Sequence, residues 1–103
     1  MEITKNDIGK KVYFIDRHIE KTFVAEYGEI TAVVPKYNFQ DRFAQNYSRN
    51  ENILIKTKEK DGNLKSKVVN DNSLIFETVA EILKYCKDAD VVFGYSALKE
   101  VEF

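Results

Sequence analysis

The 103-residue chain has no tryptophan, one cysteine, one histidine, one proline and four glycines. One cysteine excludes an internal disulfide framework, and one cysteine with one histidine cannot build a Cys/His zinc site. So few glycines and prolines exclude collagen-like and low-complexity chains. None of the glycines clusters into a phosphate cradle. No apolar run approaches the ~20 residues that span a bilayer. The start, Met1-Glu2-Ile3-Thr4-Lys5, lacks the basic-then-apolar order of a secretion signal. Cys86 has no partner, which fits a reducing cytoplasm. The expectation is a single cytoplasmic domain over 1–103, without membrane segment, metal or cofactor.

What is present points to strands. Isoleucine and valine total 19 against five leucines, and branching at Cβ favours pleated strands. Hydrophobic residues make up 44% and charged residues 32%, enough apolar content for a core in one domain. The net charge of −1 conceals a polarity. Residues 1–35 carry −1, residues 36–70 carry +4 and residues 71–103 carry −4. Such a distribution can steer partners or favour head-to-tail self-association; it also occurs on ordinary solvated surfaces.

After a lead-in ending at Gly9, Val12-Tyr13-Phe14-Ile15 reads as a short strand, and Asp16 to Lys21 as a charged, exposed loop. Thr22 to Val34 reads as a long strand. Phe23, Ala25 and Tyr27 alternate on odd positions, and Ile30, Ala32 and Val34 on even ones. The change of parity predicts a bulge or sharp bend at Gly28-Glu29. Pro35 ends the run.

Residues 36–50 form an aromatic and basic insertion. Phe39, Phe43 and Tyr47 recur every four residues, as on one side of a helix, and Asn38 is a suitable cap. A long loop or a hairpin arm fits the same residues. Asn52 to Lys58 and Leu64 to Asn70 read as strands joined at Asp61-Gly62-Asn63. Leu74-Ile75-Phe76 is a short buried run. Thr78-Val79-Ala80-Glu81 has capping-box spacing, and Val79, Ile82, Leu83 and Cys86 mark the apolar face of a helix near 79–88. Val91-Val92-Phe93 is a candidate strand, and the tail to Phe103 is ambiguous.

The fold class expected is mainly β (α+β). Gly9-Lys10-Lys11-Val12-Tyr13-Phe14, Tyr27-Gly28-Glu29-Ile30, Ile53-Leu54-Ile55 and Leu74-Ile75-Phe76-Glu77-Thr78 together resemble SH3-like barrel proteins of the KOW or Tudor type. They look most like small accessory proteins of phages, prophages and low-GC bacteria. The resemblance covers roughly residues 8–88. It implies a small, partly open barrel of about five strands with a C-terminal helix, and binding rather than catalysis. The length of 36–50 and the tail after residue 90 depart from that pattern.

Catalytic constellations are not evident. Cys86 falls on the apolar helix face, where a thiol behaves as a small inert hydrophobe. His18 sits among charges with nothing nearby to complete a site. No carboxylate pair lies in an apolar setting, and Asp61-Gly62-Asn63 lacks calcium-loop spacing. The chain therefore reads as a non-enzyme.

Two surfaces remain. Tyr37, Phe39, Arg42, Phe43, Tyr47 and Arg49 combine the aromatic and arginine types that dominate protein interfaces and stack on unpaired bases. Equally, the aromatics could fold inward as a lid. Lys56, Lys58, Lys65 and Lys67 decorate the hairpin. If register aligns them, four ammonium groups share a face and meet phosphates; otherwise they guard an edge against aggregation. The first expectation is thus a binding module for a protein partner. By analogy with the phage resemblance, that partner is a host or defence protein and the chain an anti-CRISPR-like inhibitor. The alternatives are a nucleic-acid binder and a self-associating assembly protein.

Overall fold

The computed structural model describes residues 3–35 and 51–99. Six strands form one sheet: β1 (Lys11–Ile19), β2 (Thr22–Pro35), β3 (Glu51–Lys58), β4 (Leu64–Val69), β5 (Ile75–Phe76) and β6 (Asp90–Phe93). The two short helices described are α1 (Val79–Tyr85), between β5 and β6, and α2 (Tyr95–Lys99), after β6. The strand order is β4-β3-β2-β1-β5, antiparallel throughout, and β6 pairs with β2 in parallel. The mainly β expectation holds, with six strands among the described residues in place of about five.

β1 is buried on both faces over Val12–Ile15. Val12 and Phe14 point to one side, where they meet Ile30, Val33, Ile53, Ile55, Val69 and Ile75. Ile3 joins them from the lead-in, whose 3-10 turn Lys5–Asp7 is capped by Thr4. This core is built by strands packing on strands. Tyr13 and Ile15 point to the other side, toward Ala25, Phe76, Ile82 and Cys86, and there α1 supplies the cover.

The sheet curls. β1 and β4 are separated by two intervening strands, about 14 Å in a flat sheet. Yet the Lys67 ammonium of β4 lies 3.6 Å from the Asp16 carboxylate of β1.

Four expectations are corrected. The stretch after Ile15 is not a loop: β1 continues to Ile19, with a register shift between Ile15 and Arg17, and only Glu20-Lys21 turn. Its polar composition reflects a strand end with exposed side chains. The parity change in β2 is not a bulge at Gly28. Phe23 and Tyr27 pack on the α1 side and Ile30 on the opposite side, so the chain exchanges one core for the other without skipping a residue. The register shift falls between Ile30 and Ala32, which buries Val33 and leaves Val34 exposed. Gly28 still answers a steric demand, because a Cβ there would stand 2.5 Å from the Lys56 carbonyl oxygen of β3.

The helix is shorter than 79–88. It ends at Tyr85, and Cys86 is its C-cap. Thr78 caps its start, accepting the Glu81 N–H at 3.2 Å. Ile82 and Cys86 are buried, but Leu83 is 52% exposed. The tail adds α2, which carries no periodic apolar signal across its five residues.

Candidate docking surface

The hairpin lysines separate on folding. In the β3–β4 register, Lys56 faces Ser66 and Lys58 faces Leu64, while Lys65 faces Thr57 and Lys67 faces Ile55. Neighbouring residues of a strand point to opposite sides. Lys56 and Lys58 therefore share one face, and Lys65 and Lys67 the other. The four-ammonium face does not form. Lys56 also lies 3.6 Å from the Glu29 carboxylate, and Lys67 pairs with Asp16 and, at 4.0 Å, with Glu59.

The other expected surface, Tyr37, Phe39, Arg42, Phe43, Tyr47 and Arg49, lies outside the described residues. Its attachment points are described. Pro35 and Glu51 are cross-strand partners, so residues 36–50 are the connection of a β2–β3 hairpin.

Next to that connection lies a surface the sequence reading missed. Ala32, Leu54 and Val68 are aligned across β2, β3 and β4, and Val34 pairs with Asn52 one step beyond. All of them point away from the strand-built core. Val34 is 44% exposed and Val68 62%. Toward the hairpin tip, Leu64 is 52% exposed beside Lys58. This is the side of the sheet that α1 covers over β1 and β5; among the described residues, Val34, Leu64 and Val68 remain exposed on it. A signal was available: Leu64-Lys65-Ser66-Lys67-Val68 places its apolar and small residues opposite its lysines.

Cys86 and His18 differ in environment, one buried and one exposed. Cys86 is buried against Ile82 and the α1-side core, and burial pushes its thiol up from the ordinary value. His18 is exposed at the hairpin end and stacks on Phe23, ring centroids 4.3 Å apart. Phe23 and Phe76 both touch Tyr85 of α1. Among the described residues, no three His, Cys, Asp or Glu side chains gather as metal ligands. No described helix is long and apolar enough to cross a membrane. Exposed ion pairing is exemplified by Lys10 and Glu77 at 2.6 Å, which holds the Lys10 ammonium above its usual range.

Compared with known proteins, the chain matches no family model, no curated protein and no solved structure.

Proposed function

We propose that the chain is a non-catalytic binding module that docks on a protein partner through the outward side of β3 and β4. The observation that carries this reading is the row Ala32–Leu54–Val68 with Val34 beside it, turned outward from three adjacent strands. Contiguous apolar side chains of this kind, half-buried at Ala32 and Leu54 and exposed at Val34 and Val68, mark interaction surfaces. The aromatic and arginine residues of 36–50 enter the reading from sequence alone, as contacts that begin and end at the edge of this surface. The separation of the lysines and the carboxylates beside Lys56 and Lys67 weigh against a phosphate-binding hairpin.

The proposal includes a half-open barrel of the SH3-like type as scaffold. The order β4-β3-β2-β1-β5, the 3-10 turn Asn72–Leu74 between β4 and β5, and the core built mainly by strands support it. The buried thiol of Cys86 supports a reducing, cytoplasmic setting. The resemblance to phage and prophage accessory proteins extends the proposal to a host or defence protein that the chain inhibits.

Affinity capture from the native host tests the reading, with nuclease-treated and untreated samples run beside Val68→Asp and Lys65→Glu, whose lysine lies on the opposite face of the hairpin. A protein retained after nuclease treatment, kept by Lys65→Glu and lost with Val68→Asp is the expected result. Capture that nuclease or high salt abolishes, and that follows Lys65 rather than Val68, overturns it in favour of nucleic acid.

A further inference from the structure

One edge of β2 is divided between two strands. β6 pairs with Thr22–Ala25 in parallel, and β3 pairs with Glu29–Pro35 antiparallel. Tyr27 lies between these ladders. Its N–H donates to the Ser96 hydroxyl at 3.0 Å, and its carbonyl accepts from the Thr57 hydroxyl at 2.9 Å. The Ser96 hydroxyl in turn donates to the Glu26 carboxylate. Thr57 and Ser96 are each 1% exposed, so both hydroxyls act inside the fold.

The segment that supplies Ser96 is attached differently from the rest of the sheet. β6 lies off the main strand path, runs parallel and spans four residues. From 90 to 98, Ser96 and Ala97 are the buried residues, whereas β1 buries four in succession. Residues 86–89 alone connect β6 to α1. Among the described residues, this unit is held by a four-residue ladder, by the half-buried Val91 and Phe93, by the Ser96 hydroxyl and Ala97, and by the Asp90 and Gly94 N–H groups; with less buried surface than β1, it opens more readily than the body it leans on.

We propose that β6 and α2 form an exchangeable arm, and that the edge of β2 receives the same arm from a second copy of this chain. The demands of the edge identify the occupant. It needs apolar residues where Val91 and Phe93 pack with Phe23 and Ala25. A glycine next suits it, because a Cβ at Gly94 would displace the Glu26 carboxylate from the place where Ser96 holds it. Two residues later it needs a hydroxyl to serve Tyr27. Residues 90–97 of this chain meet all three demands, and exchange of an identical element is a low-cost route to a dimer. The arm is separate from the outward face of β3 and β4, so the two proposals stand or fall independently.

Cross-linking between copies tests the exchange. Val24 and Val92 are partners across the β2–β6 ladder, and Val24 is 8% exposed. A thiol at 24 is thus shielded from solvent, with Arg17 of β1 and the residue at 92 as its cross-strand partners. Full-length Cys86→Ala chains carrying either Val24→Cys or Val92→Cys are mixed, incubated at high concentration and oxidised. The expected product is a reducible heterodimer, well above the dimer that either variant gives alone. The double variant, oxidised beforehand as a dilute monomer, closes the arm on its own chain and gives no dimer. No heterodimer from the mixture, with internal closure of the double variant, overturns the proposal. Amide exchange of the unmodified protein decides if the thiol variants do not fold. Exchange at Val91, Val92 and Phe93 at least about tenfold faster than at Phe14 and Ile55 supports an opening arm, and equal rates overturn it.

Discussion

At the scale of single residues, Thr57 does work that its neighbours in β3 do not. Ile53 and Ile55 point to the strand-built core, and Thr57 continues their side of the strand with a hydroxyl in place of a methyl group. That hydroxyl donates to the Tyr27 carbonyl at 2.9 Å in a site 1% exposed. Thr57→Val keeps the shape and removes the hydrogen bond, and the expected loss is about 1–3 kcal/mol, since hydrogen bonds lost inside a fold cost that much. Thr57→Ser restores the donor and gives back most of the loss, apart from one methyl group. Urea unfolding of the three proteins checks the order, and a valine variant as stable as the parent contradicts the assigned role.

At the scale of elements, the helix shows how far periodicity reaches. Thr78 as cap and the burial of Ile82 and Cys86 were legible from spacing. The exposure of Leu83 was not, because a seven-residue helix lying on a sheet buries a narrower stripe than the i, i+3, i+4 pattern marks. Ile82→Ala is expected to cost about 2–5 kcal/mol, as for other fully buried aliphatic truncations. Leu83→Lys is expected to stay within about 0.5 kcal/mol of the parent, as exposed substitutions do. Equal losses at the two positions in thermal melts contradict this orientation of α1. β2 illustrates the opposite limit. Its change of apolar parity was visible, but a single strand serving two cores gives the same alternation as a bulged strand serving one. Only the partners of Tyr27 and Ile30, Tyr13 on one side and Ile55 on the other, separate the two cases. The outward row Ala32–Leu54–Val68 escaped sequence reasoning for a related reason. Each of its residues looks like a core residue until cross-strand register shows which side it takes.

At the scale of the molecule, folding mixes charges that the sequence keeps apart. The positive middle segment places Lys67 against Asp16 of the first strand and Lys56 against Glu29 of the second. Lys10, near the start, reaches Glu77 of the acidic last third. Charge by segment is therefore a poor guide to the charge of a face in a sheet whose order departs from the chain's order.

Among the described residues, three groups at separate places in this arrangement shift on folding and make stability depend on pH. The Asp71 carboxylate accepts the Ser73 hydroxyl at 2.7 Å and its N–H at 2.9 Å, which lower its pKa. Its contribution is complete above the unfolded value of about 3.9 and fades as pH falls through the lower folded value. Cys86 and Lys10 shift the other way: burial raises the thiol, and the hydrogen bond to Glu77 raises the ammonium. Both hold their proton more tightly when folded. Their contributions are complete below the unfolded values, about 8.5 and 10.4, and fade as pH rises through the folded ones. A plateau between about pH 4 and pH 8.5 is the expected profile of melting temperature. Ser73→Ala should flatten the acid limb and leave the alkaline limb unchanged. Cys86→Ala should lower the plateau, by removing a buried side chain, and flatten the first part of the alkaline limb. An alkaline decline that keeps its shape in Cys86→Ala would show that the buried thiol does not set its onset.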